Sequence, residues 1–441
     1  MNNLILSLFA LLIFVLSIPG TMALRNVLAV FLLISLLFIW YKNKKNTRSL
    51  SEKGFKNIVF ILLFISIYIL IHSMYFSHEP SWSLGEFKSH WLYPMLYFIM
   101  GILLASISQN KKYFNKETLI TFLFYGLFLH ILYIDLSALE DFIRSDIIVR
   151  RYGGLSVSVA TASYLTNILF ALTASEILYR FLKKDRVIKV SNIGLAAVFL
   201  LCILSAMIEA SRFGIILSIL ILFIAILLFI KKSEVSRALK LAYPIFFISL
   251  ISIPLIYSLN TDPRWSLIGD TIEIVLEGGN SKHWLDPEAG PLRVPSGEPV
   301  SSGYLRMAWF ITGIEYILKD PVGIGYGRNS FGHAIEINEN NSNFRGGHSH
   351  GSIIDFTIGT GIVGIIAWMF FIFKVFQYAS IKYNKSCSYY SILTLLIVSD
   401  FFIRSFVDSN MRDHMFQEFM LILGISLALS AYEEKRKLSS V

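Results

Sequence analysis

An all-α, polytopic integral membrane protein is the fold class this sequence predicts, and three observations predict it. Of 441 residues, 55% are hydrophobic and only 16% are charged, too few polar side chains to cover a soluble chain of this length. Apolar runs of roughly 20 residues recur along the chain, the length a helix needs to cross about 30 Å of hydrocarbon. Basic residues concentrate in alternate connections between those runs. The formal charge of +9, from 39 Lys and Arg against 30 Asp and Glu, is therefore a statement about topology and no signal for nucleic acid.

The hydropathy pattern predicts about twelve spans, at 3–20, 24–41, 57–76, 91–108, 118–135, 156–180, 192–208, 212–230, 239–257, 351–373, 389–405 and 413–432. The first, Leu4 to Pro19, has the length of a signal peptide. It lacks a basic n-region and is followed at once by a second apolar run, so it reads as half of a retained helical hairpin. Short gaps at Pro19–Leu24 and Glu209–Arg212 leave room there for one long or broken helix instead of two. The basic connections Lys42–Lys56, Lys111–Lys116, Lys183–Lys189, Lys231–Lys240 and Lys374–Lys385, with the tail Lys435–Lys437, all fall on one face. The positive-inside rule makes that face, and both termini, cytoplasmic. The other face, periplasmic in a cell with two membranes, receives Ser77–His90, Asp135–Tyr152, Glu209–Arg212 and Arg404–His414. Cys202 and Cys387 suggest neither a disulfide framework nor a metal site.

The organisation expected is a bundle of about nine spans over 1–257, a large periplasmic loop with an interfacial helix over 258–350, and about three more spans with a cytoplasmic tail over 351–441. Within the loop, Leu267–Leu276 predicts a short helix, and Asp286–Val300, rich in Pro, Gly and acidic residues, predicts irregular surface. Tyr304–Leu318 predicts a partly apolar helix carrying Arg306 and Glu315, lying at the membrane interface with Trp309 and Tyr316 near the headgroups. Lys319-Asp320-Pro321 ends it, because proline disfavours helical geometry at the preceding residue. Gly323, Gly325 and Gly327 follow in a turn-rich stretch with no βαβ context, so this is no nucleotide-binding loop.

Polar groups held against a bilayer are costly unless used. Arg212 opens an apolar segment. It reads either as an interface arginine paired with Glu209, its stem snorkelling outward, or as a cation facing into the bundle. Guanidinium suits the second role because it binds phosphate oxygens bidentately and stays charged. Arg306 poses the same choice, while Arg264 and Arg293 read as structural or rim residues. His348 and His350 flank Ser349 just before Gly351–Phe373. A metal reading lacks partners, since Glu336 and Asp355 stand at loose spacing. His350, at a helix start, suits a general base, the positive helix end favouring its neutral form; His348 reads as a backbone-bonding histidine. Gly359, Gly361 and Gly364 predict close helix packing. Arg150, Arg151, Asp408, Asn410, Arg412, Asp413 and His414 add polar groups on the same face, and Ser156, Ser158, Thr161, Ser163 and Thr166 form a hydroxyl-rich stretch. The many aromatic residues read first as lipid-facing and interfacial packing, with Trp82, Trp265 and Trp284 on the outer loops as candidates for stacking on sugar rings.

Three local patterns, in this order and topology, give the whole chain a family likeness: Ser211-Arg212-Phe213-Gly214; Arg306 followed by Pro321-Val322-Gly323-Ile324-Gly325; and His350 followed by Gly361-Ile362-Val363-Gly364. The chain resembles the O-antigen ligase and polymerase superfamily, most closely the lipid A-core:surface polymer ligases. The glycines align the family histidine with His350. Gly351 stands where the family has Asn or Ser, and a Ser does follow His348, so His348 stays open as an alternative base. The resemblance implies an inverting, metal-independent glycosyltransferase that needs no cofactor. Its partners would be an undecaprenyl-diphosphate-linked polysaccharide as donor, a lipid A-core sugar as acceptor, and membrane lipids. Arg212 and Arg306 would hold the diphosphate, and His350 would orient or deprotonate the acceptor hydroxyl. A polysaccharide polymerase or a protein-glycosylating oligosaccharyltransferase would share these motifs. A polysaccharide transporter would instead show inverted repeats, broken helices and polar groups at the bilayer midplane.

Overall fold

The computed structural model describes residues 2–42, 52–110, 112–145, 151–156, 158–234, 236–276, 280–285, 292–293 and 302–438. Arg150, most of the Lys42–Lys56 connection and nearly all of Asp286–Val300 lie outside the described residues. In chain order the helices are α1 (Asn2–Val15), α2 (Met22–Lys42), α3 (Lys53–Tyr75), α4 (Pro80–Glu86), α5 (Tyr93–Ile107) and α6 (Lys116–Ser145). Next come α7 (Val159–Lys183), α8 (Asn192–Glu209), α9 (Arg212–Lys232), α10 (Arg237–Thr261), α11 (Ile268–Leu276) and α12 (Ser302–Lys319). The chain ends with α13 (Ser330–Glu339), α14 (Ser352–Ser386), α15 (Tyr389–Arg404) and α16 (Asp413–Leu438). No strand is present among the described residues.

The protein is an all-α, polytopic membrane protein. Among the described residues nine helices are long and apolar enough to cross a membrane, or ten if the pair Ile245–Thr261 and Pro263–Leu276, bent by 85°, is one span. A helix lies at each of the twelve expected positions, but α1 and α15, at 14 and 16 residues, are short for a full crossing. The two ambiguous gaps are breaks between separate helices. Gly20 turns with φ +77 between α1 and α2, and Ala210 turns with φ +48 between α8 and α9.

Small residues let the central helices approach. A Cβ on Gly101 of α5 would meet the Leu421 carbonyl of α16 at 2.3 Å, and one on Gly424 would meet the Phe98 carbonyl at 2.4 Å. Backbones this close gain dispersion contacts that no lipid tail could replace.

The expected loop begins a little later than 258, because α10 runs on to Thr261. It carries α11, α12 and α13, the last of which the sequence pattern did not reveal. Of these, α12 and α13 share a small aromatic core in which Trp284 meets Trp309, Phe331 and Phe344 at 5.8, 6.0 and 5.2 Å between ring centres. That core corrects the expectation for α12. Trp309 and Tyr316 point inward, while Phe310, Ile314 and Leu318 form the exposed apolar stripe, Leu318 at 73%. The helix is amphipathic as predicted, rotated from the expected face.

The glycine patterns also interlock in an unexpected way. α14 is broken at Gly361, whose φ of 69° and ψ of −176° leave the helix. The segment after α12 fills the break. Ile324 and Gly325 donate backbone N–H bonds to the carbonyls of Ile358 and Gly359, each at 3.0 Å, and Ile362 donates to the Pro321 carbonyl at 3.0 Å. A Cβ on Gly361 would lie 2.0 Å from the Val322 carbonyl, and one on Gly323 would lie 2.4 Å from the Gly361 nitrogen. The glycines thus admit a loop backbone, not a neighbouring helix. Broken helices are what a transporter would show, but here protein backbone occupies the break.

Candidate active site

Arg212, Arg306 and His350 come from three separate elements and line one cleft of ≈ 570 Å³ at the loop end of the bundle. Arg212 stands at the first position of α9, where the Ser211 hydroxyl caps the helix by accepting from the Gly214 N–H at 3.2 Å. Its guanidinium donates to the Arg264 carbonyl at 3.0 Å and lies 5.6 Å from the Trp265 ring centre. The nearest carboxylate, Asp262, is 3.9 Å away. Pairing with Glu209 does not occur. Glu209 is buried and accepts a 2.5 Å hydrogen bond from Thr166.

Arg306 projects from the second turn of α12 over the ring of Phe213, 5.6 Å from its centre. The middle residues of the Ser-Arg-Phe-Gly pattern thus present a cation and the platform for a second cation. Among the described residues Arg306 has no carboxylate at ion-pair distance. Burial lowers its pKa; Arg264 and Arg151 push the same way and Asp408 opposes them. A charge desolvated without a counter-ion is costly, and an anion entering the cleft would relieve it.

His350 sits one residue before the Gly351 cap of α14, with φ +55. The turn is fixed from below. Ser349 donates its hydroxyl to Asp355 at 3.0 Å and its N–H at 3.3 Å, and both residues are buried. The His350 ring stacks on Trp309 at 5.3 Å with 13° between the planes. Burial and the Arg306 charge push its imidazole down to about 4, so it is neutral at pH 7. The positive helix end is not the cause. The first helical N–H groups are already used, Ser352 donating to the Asp408 carbonyl and Ile353 to the Ser405 carbonyl, each at 3.0 Å.

His348 does not line the cleft. It packs behind His350, ring centres 4.1 Å apart, with Nδ1 2.9 Å from the Ser409 hydroxyl and accepting the His350 N–H at 3.3 Å. Of the tryptophans, only Trp265 lines the cleft. Trp284 belongs to the aromatic core, and Trp82 stacks on His333 at 3.7 Å. Arg264 is bound to Asp262 by two hydrogen bonds of 2.7 and 2.6 Å, which fits a structural part. Among the described residues no group of three or more His, Cys, Asp or Glu side chains is placed to hold a metal ion.

One set of residues escaped the sequence reading. Arg404 is 1% exposed, 3.7 Å from Asp400 and 3.6 Å from Asp408, with Ser163 at 3.3 Å and its guanidinium over the Tyr164 ring. Asp400 in turn accepts from Asn167 at 3.0 Å, and Asn167 donates to the Gly214 carbonyl at 3.2 Å. This network ties the first turn of α9 to the α15–α16 connection that carries Asp408, whose charge is felt at both Arg306 and His350. The signal was there to read: Asp400, Arg404 and Asp408 stand at i, i+4 and i+8.

No curated protein matches the chain. The O-antigen ligase family model matches residues 197–369, from the first part of α8 to the middle of α14. That stretch contains Arg212, Arg306, His350, the cleft-lining turn of α12 and both sets of interlocking glycines. Over this stretch, which is less than half of the chain, the protein is similar to the O-antigen ligase family, and together with the polytopic helical fold the match supports an enzyme of that general type.

Proposed function

We propose that the enzyme transfers a polymerised surface glycan from undecaprenyl diphosphate to a sugar hydroxyl of the lipid A core, with inversion and without a metal ion. The observation that carries this reading is the convergence on a single cleft of Arg306, with no carboxylate at ion-pair distance among the described residues, Arg212, whose nearest carboxylate Asp262 is 3.9 Å away and already held by Arg264, and one neutral histidine. Arg212 and Arg306 hold the donor diphosphate. His350 accepts the proton of the acceptor hydroxyl as its oxygen attacks the anomeric carbon from the face opposite the diphosphate. The bond from that carbon to the diphosphate oxygen breaks, and the electron pair leaves on the diphosphate. The arginines stabilise the charge that develops there, an effect of about 10²–10³ in rate for one well-placed donor. Asp408 offsets the charges of Arg306 and Arg412 at His350.

The basic connections would place the opposite end of the bundle and both termini in the cytoplasm, leaving the cleft on the periplasmic side of the inner membrane. The exposed stripe Phe310, Ile314 and Leu318 would then rest on the outer leaflet, bringing Arg306 to the depth of a lipid diphosphate.

Deletion of the gene, followed by electrophoresis of lipopolysaccharide, tests the reading. A ligase predicts loss of the whole polymer ladder, with intact core and accumulated carrier-linked polymer. Core bearing a single repeat unit would instead make the enzyme a polymerase.

A further inference from the structure

The cleft has a neighbour on the other side of the first turns of α9. A cavity of ≈ 260 Å³ is lined there by Arg151, Met207, Ile215, Tyr257, Asp262 and Arg264, among others. Consecutive residues divide the two spaces, Ile215 facing the smaller and Ile216 the larger. Among the described residues, charge around the smaller cavity does not balance. Asp262 is the one carboxylate in its lining, and both of its oxygens are engaged by Arg264. Arg151 has no carboxylate partner among the described residues. It is nonetheless held in place, its backbone turned to φ +61 and its N–H donated to the Ile208 carbonyl at 3.0 Å. Its charge is felt as far as Arg306. Arg151 is exposed at the rim, so these like charges are partly screened, and together they present a positive potential that attracts an added anion.

The floor of the cavity is different in kind. Met207 of α8, Ile215 of α9 and Tyr257 of α10 are contributed by three helices of the bundle near their loop ends. A cationic rim over an apolar floor, set among bundle helices, complements an amphiphile with an anionic head. We propose that this cavity is a second anion subsite, taking a phosphate-type group, separate from the cleft of Arg306 and His350. Resting on the transferase reading, it has a purpose: an enzyme joining two lipid-anchored substrates must place a second anionic head group beside the first.

The test uses the full chain in phosphatidylcholine nanodiscs, titrated with dioctanoyl phosphatidate and, separately, with inorganic phosphate. Arg151→Gln is expected to weaken phosphatidate binding about tenfold or more, with Arg151→Lys recovering most of it, the scale of one charge-assisted contact. Arg306→Gln should abolish any phosphatidate binding in the larger cleft but change the Arg151-dependent binding by less than about threefold, since it acts on the smaller cavity only through screened charge. Competition by inorganic phosphate assigns the site to the phosphate group alone, and absence of competition assigns it to the lipid; both support a second subsite. Unchanged binding in Arg151→Gln, or an equal loss of the Arg151-dependent binding in Arg306→Gln, overturns it. Transfer by His350→Ala tests the transferase reading without involving this titration, so the two ideas fail separately.

Discussion

Arg404 and Arg306 lie near each other at one end of the bundle and live in opposite circumstances. Arg404 is fully buried with Asp400, Asp408 and Ser163 around it. Arg306 is partly buried, rests on a Phe213 ring, and has no carboxylate at ion-pair distance among the described residues. The contrast teaches how to read a cation near a membrane. Where the protein supplies the counter-charge, the arginine is a strut; where it supplies an aromatic face and an open cavity, the counter-charge is left to a ligand.

The largest expected effect breaks the strut. Arg404→Leu leaves buried Asp400 and half-buried Asp408 without their cation and should cost about 3–5 kcal/mol, the range for removing one partner of a buried pair. Thermal unfolding in detergent would show it as a large loss of folded protein. Arg306→Gln should do the reverse. Transfer should fall about 10²–10³-fold through kcat, while the unfolding temperature holds or rises slightly, since a poorly paired charge has been removed. Equal destabilisation by the two variants would erase the distinction.

A smaller effect is expected at Asp355, which touches neither cleft nor substrate but holds the Ser349 turn that presents His350. Asp355→Asn keeps one acceptor oxygen and turns the other into a donor, so kcat should drop about tenfold, on the scale of about 1.5 kcal/mol for one hydrogen bond, with KM little changed. The pH profile of kcat/KM should report the position of His350 in the free enzyme, and His348→Ala should leave that limb in place.

The smallest effect is the pH response itself. The His350 imidazole is held down at about 4, below its ordinary value near 6.5. It stays neutral through the weakly acidic range, and the acid limb of kcat/KM should lie near pH 4. A diphosphate between the arginines adds negative charge beside the ring, so the limb in kcat should lie higher than in kcat/KM. Stability has its own sign. Between the two pKa values the unfolded chain binds the proton and the native one does not, so the contribution is complete above about pH 6.5 and is lost as pH falls toward 4. A common limb near 6.5 in both profiles would show a solvated histidine outside the cleft.

Hydropathy made helices legible at every predicted span, because a crossing segment is a local property of about 20 consecutive residues. It did not reveal α4 or α13, which are short and gain their stability from contacts with other elements. The α12 helix was visible but its orientation was not, since Trp309, Tyr316 and Phe310 are all apolar and only the Trp284 core decides which of them is inside. Gly323 and Gly361 were each conspicuous, yet their joint role depends on a loop threading into a helix break 38 residues further along the chain. The individual site candidates Arg212, Arg306 and His350 stood out as polar groups in an apolar chain. Their meeting on one cleft did not, because convergence is a property of packing, and the reason His350 is neutral lies in Arg306 and burial instead of the helix end.

The central claim is that Arg212 and Arg306 await a diphosphate. Equilibrium binding of undecaprenyl diphosphate to the purified full chain, compared with the double variant Arg212→Gln/Arg306→Gln at matched thermal stability, tests it most directly. The account predicts a loss of affinity of about 100-fold or more, two charge-assisted contacts removed together. Binding within about threefold of the wild type would contradict it.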